Sequence, residues 1–69
     1  MTPMEEMKTL VIEAIKMLPS GTSTYLSIAE ALGDPKGEDG TLIVEAIAEL
    51  EKEGVIEAVY GILYHWRVK

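Results

Sequence analysis

The chain has no cysteine, asparagine, glutamine or phenylalanine. Without cysteine there is no disulfide framework, no thiolate metal site and no thiol nucleophile. No segment approaches the roughly 18 uninterrupted apolar residues of a membrane span. Glu5 and Glu6 stand where a secretory leader would carry positive charge ahead of an apolar run. The expectation is a cytoplasmic protein with no membrane partner. Basic residues are also scarce. Lys8, Lys16, Lys36, Lys52, Arg67 and Lys69 stand against twelve acidic residues, and the formal net charge is −6. Ten of the twelve acids are glutamate. With the thermolabile amides missing, that composition fits a thermophilic source.

What is present is a small, apolar-rich chain. Its 69 residues make a single domain, 1–69, and 48% of them are hydrophobic, which favours a folded core over disorder. A core of this size is marginal, so part of the apolar surface is available for completion by a partner.

The first helix follows a capping-box pattern, Thr2-Pro3-Met4-Glu5, with proline at the first helical position. Met7, Val11, Ala14, Ile15 and Leu18 recur at helical spacing, and Pro19-Ser20-Gly21 ends the run. Thr22-Ser23-Thr24 has room for a short strand before a second helix from about Tyr25 to Leu32, capped by Ser23 or Thr24. Ile28, Ala29 and Leu32 form its core-facing set, and Gly33 closes it. After the polar connection 34–40, Asp39 or Thr41 is placed to cap a third helix running to about Glu53. Its apolar stripe is Ile43, Ile47 and Leu50, with Ala46 beside it.

At Gly54 the period changes from helix to strand. Val55 to Val59 and Leu63 to Val68 are rich in β-branched and aromatic residues, with Tyr60-Gly61 as the turn between them. Alternation predicts Tyr64, Trp66 and Val68 packed on the helices and His65, Arg67 and Lys69 toward water.

The run Leu50-Glu51-Lys52-Glu53-Gly54-Val55-Ile56, a helix ending on glycine and passing straight into a hairpin, resembles the third helix and wing of the winged helix-turn-helix superfamily. The resemblance implies an α+β fold: three helices followed by a C-terminal two-stranded β-hairpin wing. A weaker likeness lies upstream. Pro19-Ser20-Gly21, Tyr25, Ile28-Ala29 and Leu32-Gly33-Asp34-Pro35 look like the helix-turn-helix of DNA alkyltransferases and their alkyltransferase-like relatives. The arginine, the cysteine or tryptophan and the His-Arg pair of those families have no counterpart downstream, so repair chemistry does not carry over.

In DNA-reading members of the superfamily, the exposed face of the third helix offers Arg, Lys, Asn, Gln, Ser or Thr to bases and phosphates. Here the corresponding positions are Thr41, Leu42, Val44, Glu45, Ala48 and Glu49. Glu45 and Glu49 would meet phosphates with like charge, while Leu42 and Val44 offer apolar area. The hairpin tip adds Val59, Tyr60 and Ile62 in place of basic residues. The favoured reading is a non-catalytic module that binds a protein, or a second copy of itself, through Leu42, Val44, Glu45, Ala48, Glu49, Val59, Tyr60 and Ile62. The alternative is a transcription regulator on duplex DNA, using Thr41, Lys52, His65, Arg67 and Lys69. A plainer view is that Leu42 and Val44 join the core and the glutamates form a solvated face.

Other chemistry finds little support. His65 is the sole histidine, and no nucleophile or ligand set accompanies it in sequence. Glu45, Glu49 and Glu53 recur every four residues, which reads as a solvated helix side before it reads as a cation site. No metal or cofactor is expected.

Overall fold

The computed structural model describes residues 2–61 and 64–69. Helices α1 (Pro3–Met17), α2 (Tyr25–Ala31) and α3 (Glu38–Lys52) precede an antiparallel hairpin of β1 (Ile56–Val59) and β2 (His65–Val68). The architecture is therefore α+β, with the elements in the expected order.

The Oγ1 of Thr2 accepts the Glu5 N–H at 3.2 Å and starts α1, with Pro3 in the first turn. Glu5 and Glu6 sit near the positive end of the helix dipole and Lys16 near the negative end. Val11, Ala14 and Ile15 are buried, and Met7 and Leu18 are half-buried against the same core. Thr24 caps α2 by accepting the Ser27 N–H at 3.2 Å. At its other end Gly33 donates to the Glu30 carbonyl and Asp34 to the Ala29 carbonyl, the paired bonds of a Schellman turn. Among the described residues no strand precedes α2. The expected extended piece contributes one sheet-like bond instead: the Trp66 N–H donates to the Ser23 carbonyl at 3.1 Å.

The start of α3 differs from expectation. Neither Asp39 nor Thr41 caps it. The N-cap is Gly37, with φ 63° and ψ −130° and no side-chain cap bond. Glu38 and Asp39 fall in the first turn, where the helix dipole favours their charge without a capping geometry. Thr41 is inside the helix and its hydroxyl donates back to the Gly37 carbonyl at 3.2 Å. The connection from α2 is residues 32–37, and glycine's mirror-image backbone at its end turns the chain into the helix.

At the far end of α3, Gly54 (φ 78°) donates to the Glu51 carbonyl at 3.1 Å, and Val55 donates to the Leu50 carbonyl at 3.0 Å. This second Schellman turn directs the chain back along the helix. Ile56 pairs with Val68, Glu57 with Arg67, Ala58 with Trp66 and Val59 with His65. A bond from the Lys69 N–H to the Val55 carbonyl extends the ladder. The strands are shorter than the sequence predicts, and Leu63 lies outside the described residues. Ile28, Ala29, Ile43, Ala46, Ile47, Leu50 and Ile56 complete the buried core. No helix among the described residues is long and apolar enough to cross a membrane.

Three substitutions test this backbone and core. A Cβ at Gly37 or Gly54 would meet nothing within 4 Å, so the cost of alanine there is conformational. Gly54→Ala should lose about 1–2 kcal/mol, the cost of a left-handed residue. Gly37→Ala should lose as much or more, since its φ/ψ region is close to glycine-only. Urea titration should show a lower midpoint at unchanged slope for both. Ile43 is wholly buried. Ile43→Ala should cost about 2–5 kcal/mol, comparable with the whole stability of a domain this size, and should unfold most of the protein at 25 °C by circular dichroism.

Candidate functional site

The buried stripe of α3 divides its surface into two flanks. On one, Val44, Ala48 and Glu51 share a concavity with Tyr25 of α2 and Trp66 of β2. On the other, Leu42 and Glu45 border a broad, open depression with Pro3 at the start of α1. Further along that second flank, the Glu53 carboxylate binds the Lys8 Nζ of α1 at 2.6 Å.

The acidic residues are therefore not gathered on one outward face. Glu45 is exposed, Glu49 is half-buried and adds to the negative field on Lys8, and Glu53 is paired with it. A step of four residues in a 3.6-residue helix advances about 40° around the axis. Over two steps the glutamates swing from solvent toward α1. Leu42 goes with them and is half-buried, while Val44 remains 51% exposed. Ala48 and Thr41 are exposed as well.

The aromatic residues form the other half of this surface. The Trp66 Nε1 donates to the Glu51 Oε1 at 3.0 Å. Tyr64 stands edge-on to Trp66, with ring centroids 4.8 Å apart and planes at 89°, and Tyr60 stands edge-on to Tyr64 at the same separation. Tyr64 is 42% exposed, against the expectation that it packs on the helices. β2 begins only at His65, so Tyr64 precedes the ladder and strand alternation does not govern it. Its neighbours are the two aromatic rings. Tyr60 and Leu26 are more than two-thirds exposed and Val59 is half-buried. Ile62, expected at the hairpin tip, lies outside the described residues.

The residues considered for phosphate contact are dispersed. Arg67 forms an ion pair with Glu57, its partner across the ladder. His65 is half-buried, against the expectation of a water-facing side chain. With Lys16, Ser20 and Arg67 it borders a groove of about 280 Å³ beside the end of α1. Lys52 borders a different concavity, with Ala48 and Glu51. Lys69 is exposed at the end of the ladder. Among the described residues no three His, Asp or Glu side chains converge to hold a metal ion.

Tyr25, Leu26, Glu51 and Trp66 were not singled out as surface residues by sequence reasoning. The spacing of Val44, Ile47, Ala48 and Glu51, at i, i+3, i+4 and i+7, carries a signal for a second helix stripe. Nothing local in sequence reports the long-range bond from Trp66 to Glu51. No protein-family model, curated protein or solved structure matches this chain.

Two side chains titrate away from their ordinary values. The hydrogen bond to Glu53 raises the Lys8 pKa above 10.5, opposed by burial and assisted by the charges of Glu53, Glu49 and Glu5. A hydrogen bond with Tyr60 raises the Tyr64 pKa above 10.0, assisted by burial and by the charges of Tyr60 and Glu51. Both shifts favour the protonated form in the folded state. Their contribution to stability is thus complete below the ordinary values and disappears as pH rises through the raised ones. The melting temperature should fall through this alkaline window. Tyr60→Phe should move the Tyr64 ultraviolet titration back toward 10.0. A Tyr64 titration unchanged in that variant would show that the Tyr60 hydroxyl does not hold its proton.

Proposed function

We propose that the chain is a non-catalytic winged-helix module that binds protein through the outer flank of α3 and the neighbouring hairpin. Three features support the winged-helix assignment: the order of three helices and a hairpin, the glycine turn joining α3 to β1, and the bond from Trp66 to Ser23, which places β2 between β1 and the chain before α2. The observation that carries the functional reading is the make-up of the outward surface. Val44, Ala48, Leu26, Tyr60 and Tyr64 are exposed, while Lys8 and Arg67 are engaged by the chain's own carboxylates. Exposed apolar and aromatic area beside a sparse cationic field suits a protein surface better than a polyanion.

Duplex DNA is the competing ligand, and it makes a different demand. Non-specific binders hold duplex DNA with dissociation constants of roughly 10⁻⁴–10⁻⁶ M at physiological salt, and tighter as salt falls. Fluorescence anisotropy of a labelled 30-base-pair duplex at about 20 mM salt should show no saturable binding at protein concentrations up to about 100 μM, the weak end of that range. Salt-dependent binding that disappears in the double variant Arg67→Glu, Lys69→Glu would overturn the protein-binding reading in favour of DNA.

A further inference from the structure

On the flank of α3 that faces α2 and β2 lies a concavity of about 180 Å³. It is smaller than a drug-sized ligand site, and it has room for one long side chain. Val44, Ala48 and the rings of Tyr25 and Trp66 give it apolar walls. Its one charged lining residue among the described residues is Glu51. The Oε1 of Glu51 accepts the Trp66 indole N–H, which fixes the carboxylate at the edge of the ring. The two ion pairs among the described residues go to Glu53 and Glu57, so neither neutralises Glu51. Lys52, next in sequence, leaves the helix about 100° further round. There it borders the adjoining concavity with Glu51 and Ala48 but forms no ion pair with Glu51 among the described residues.

We infer that this pocket takes the side chain of an arginine or lysine from a basic segment of another protein. The inference rests on the protein-binding reading above and specifies its partner. A long basic side chain is amphipathic in the same order as the site: its stem lies on Val44, Ala48 and the two rings, and its cationic head reaches Glu51. Aromatic rings attract such a head further. A purely aliphatic side chain would cover the Glu51 carboxylate and give it no counter-charge, which is unfavourable. A second copy of this chain suits the site less well, because it brings a net charge of −6 toward another −6.

The test is selection of a random 12-residue peptide library displayed on phage against the immobilised protein. Titrations of the selected peptide follow, read by the fluorescence of Trp66, the chain's one tryptophan. Two variants accompany it. Glu51→Gln keeps an acceptor for the Trp66 indole and removes the charge. Val44→Arg fills the pocket with the protein's own cation, and because Val44 is half exposed it leaves the core intact. Both are first checked for native circular dichroism and melting. Selected peptides should share an arginine or lysine next to apolar residues and should perturb Trp66. Norleucine at the basic position, or Glu51→Gln, should weaken binding by about tenfold, the loss expected for a charge-assisted contact. Val44→Arg should abolish binding.

Peptides that bind equally well to Glu51→Gln, or that carry no basic residue yet are blocked by Val44→Arg, would overturn the cation pocket and leave the face as a protein-binding surface. Binding indifferent to Val44→Arg, or no enrichment at all, would overturn both.

Discussion

The chain leaves α3 through Gly54, whose φ of 78° lets Val55 donate to Leu50 and turns the backbone sharply back. The position of the hairpin follows from that reversal. It places Ile56 in the core beneath the helix the chain has just left, and Ile56 pairs with Val68. With that register set, Trp66 lies opposite Ala58 on the helix-facing side of the hairpin, within reach of Glu51. A residue that resisted positive φ at position 54 would strain this turn, which is the hairpin's one covalent connection to the helices.

Trp66 then ties the hairpin to the remaining parts. Its backbone N–H reaches Ser23 in the chain before α2, its indole N–H reaches Glu51 on α3, and its ring packs against the core and the edge of Tyr64. A neutral hydrogen bond such as the one to Ser23 contributes about 0.5–1.5 kcal/mol, and an aromatic pair a similar amount. Their larger effect is geometric. A two-stranded hairpin is marginal in isolation, and these contacts hold one wall of the pocket against the helical half of the molecule.

The elements and the core were largely legible in sequence because both rest on local periodicity. Val11, Ala14 and Ile15, then Ile28 and Ala29, then Ile43, Ile47 and Leu50 lie on the expected faces and are buried. The glycine stops at 33 and 54 were legible for the same reason. The cap of α3 was not, because two acids and a threonine near a helix start look like capping residues, and backbone torsion at Gly37 decided the matter. Tyr64 misled because alternation applies only within the ladder. The site was less legible than the core. The sequence marks Val44, Ala48 and Tyr60 as surface residues, yet gathering Val44 and Ala48 with Tyr25 and Trp66 requires the third dimension. The acidic ladder shows the limit most clearly. Spacing by four suggested a common face, and the 40° drift per step divides it between solvent and α1.

That division separates the acids by what each is already doing. Glu53 holds Lys8 and joins α1 to the end of α3, and Glu57 holds Arg67 across the hairpin. Their charge is largely cancelled where it arises, and with it two of the six basic side chains. Exposed pairs of this kind add little to stability, so their main consequence is for the outward field, from which they remove cations. Glu51 differs in having one oxygen bound to a neutral donor and a formal charge that no ion pair among the described residues cancels, in the lining of an apolar hollow. Net charge counts these three carboxylates alike. Recognition does not, because a carboxylate beside apolar walls and outside any ion pair among the described residues acts more strongly on an arriving cation than one already paired. The chain's acidity therefore bears on the proposed basic partner through where Glu51 sits as well as through the total of −6.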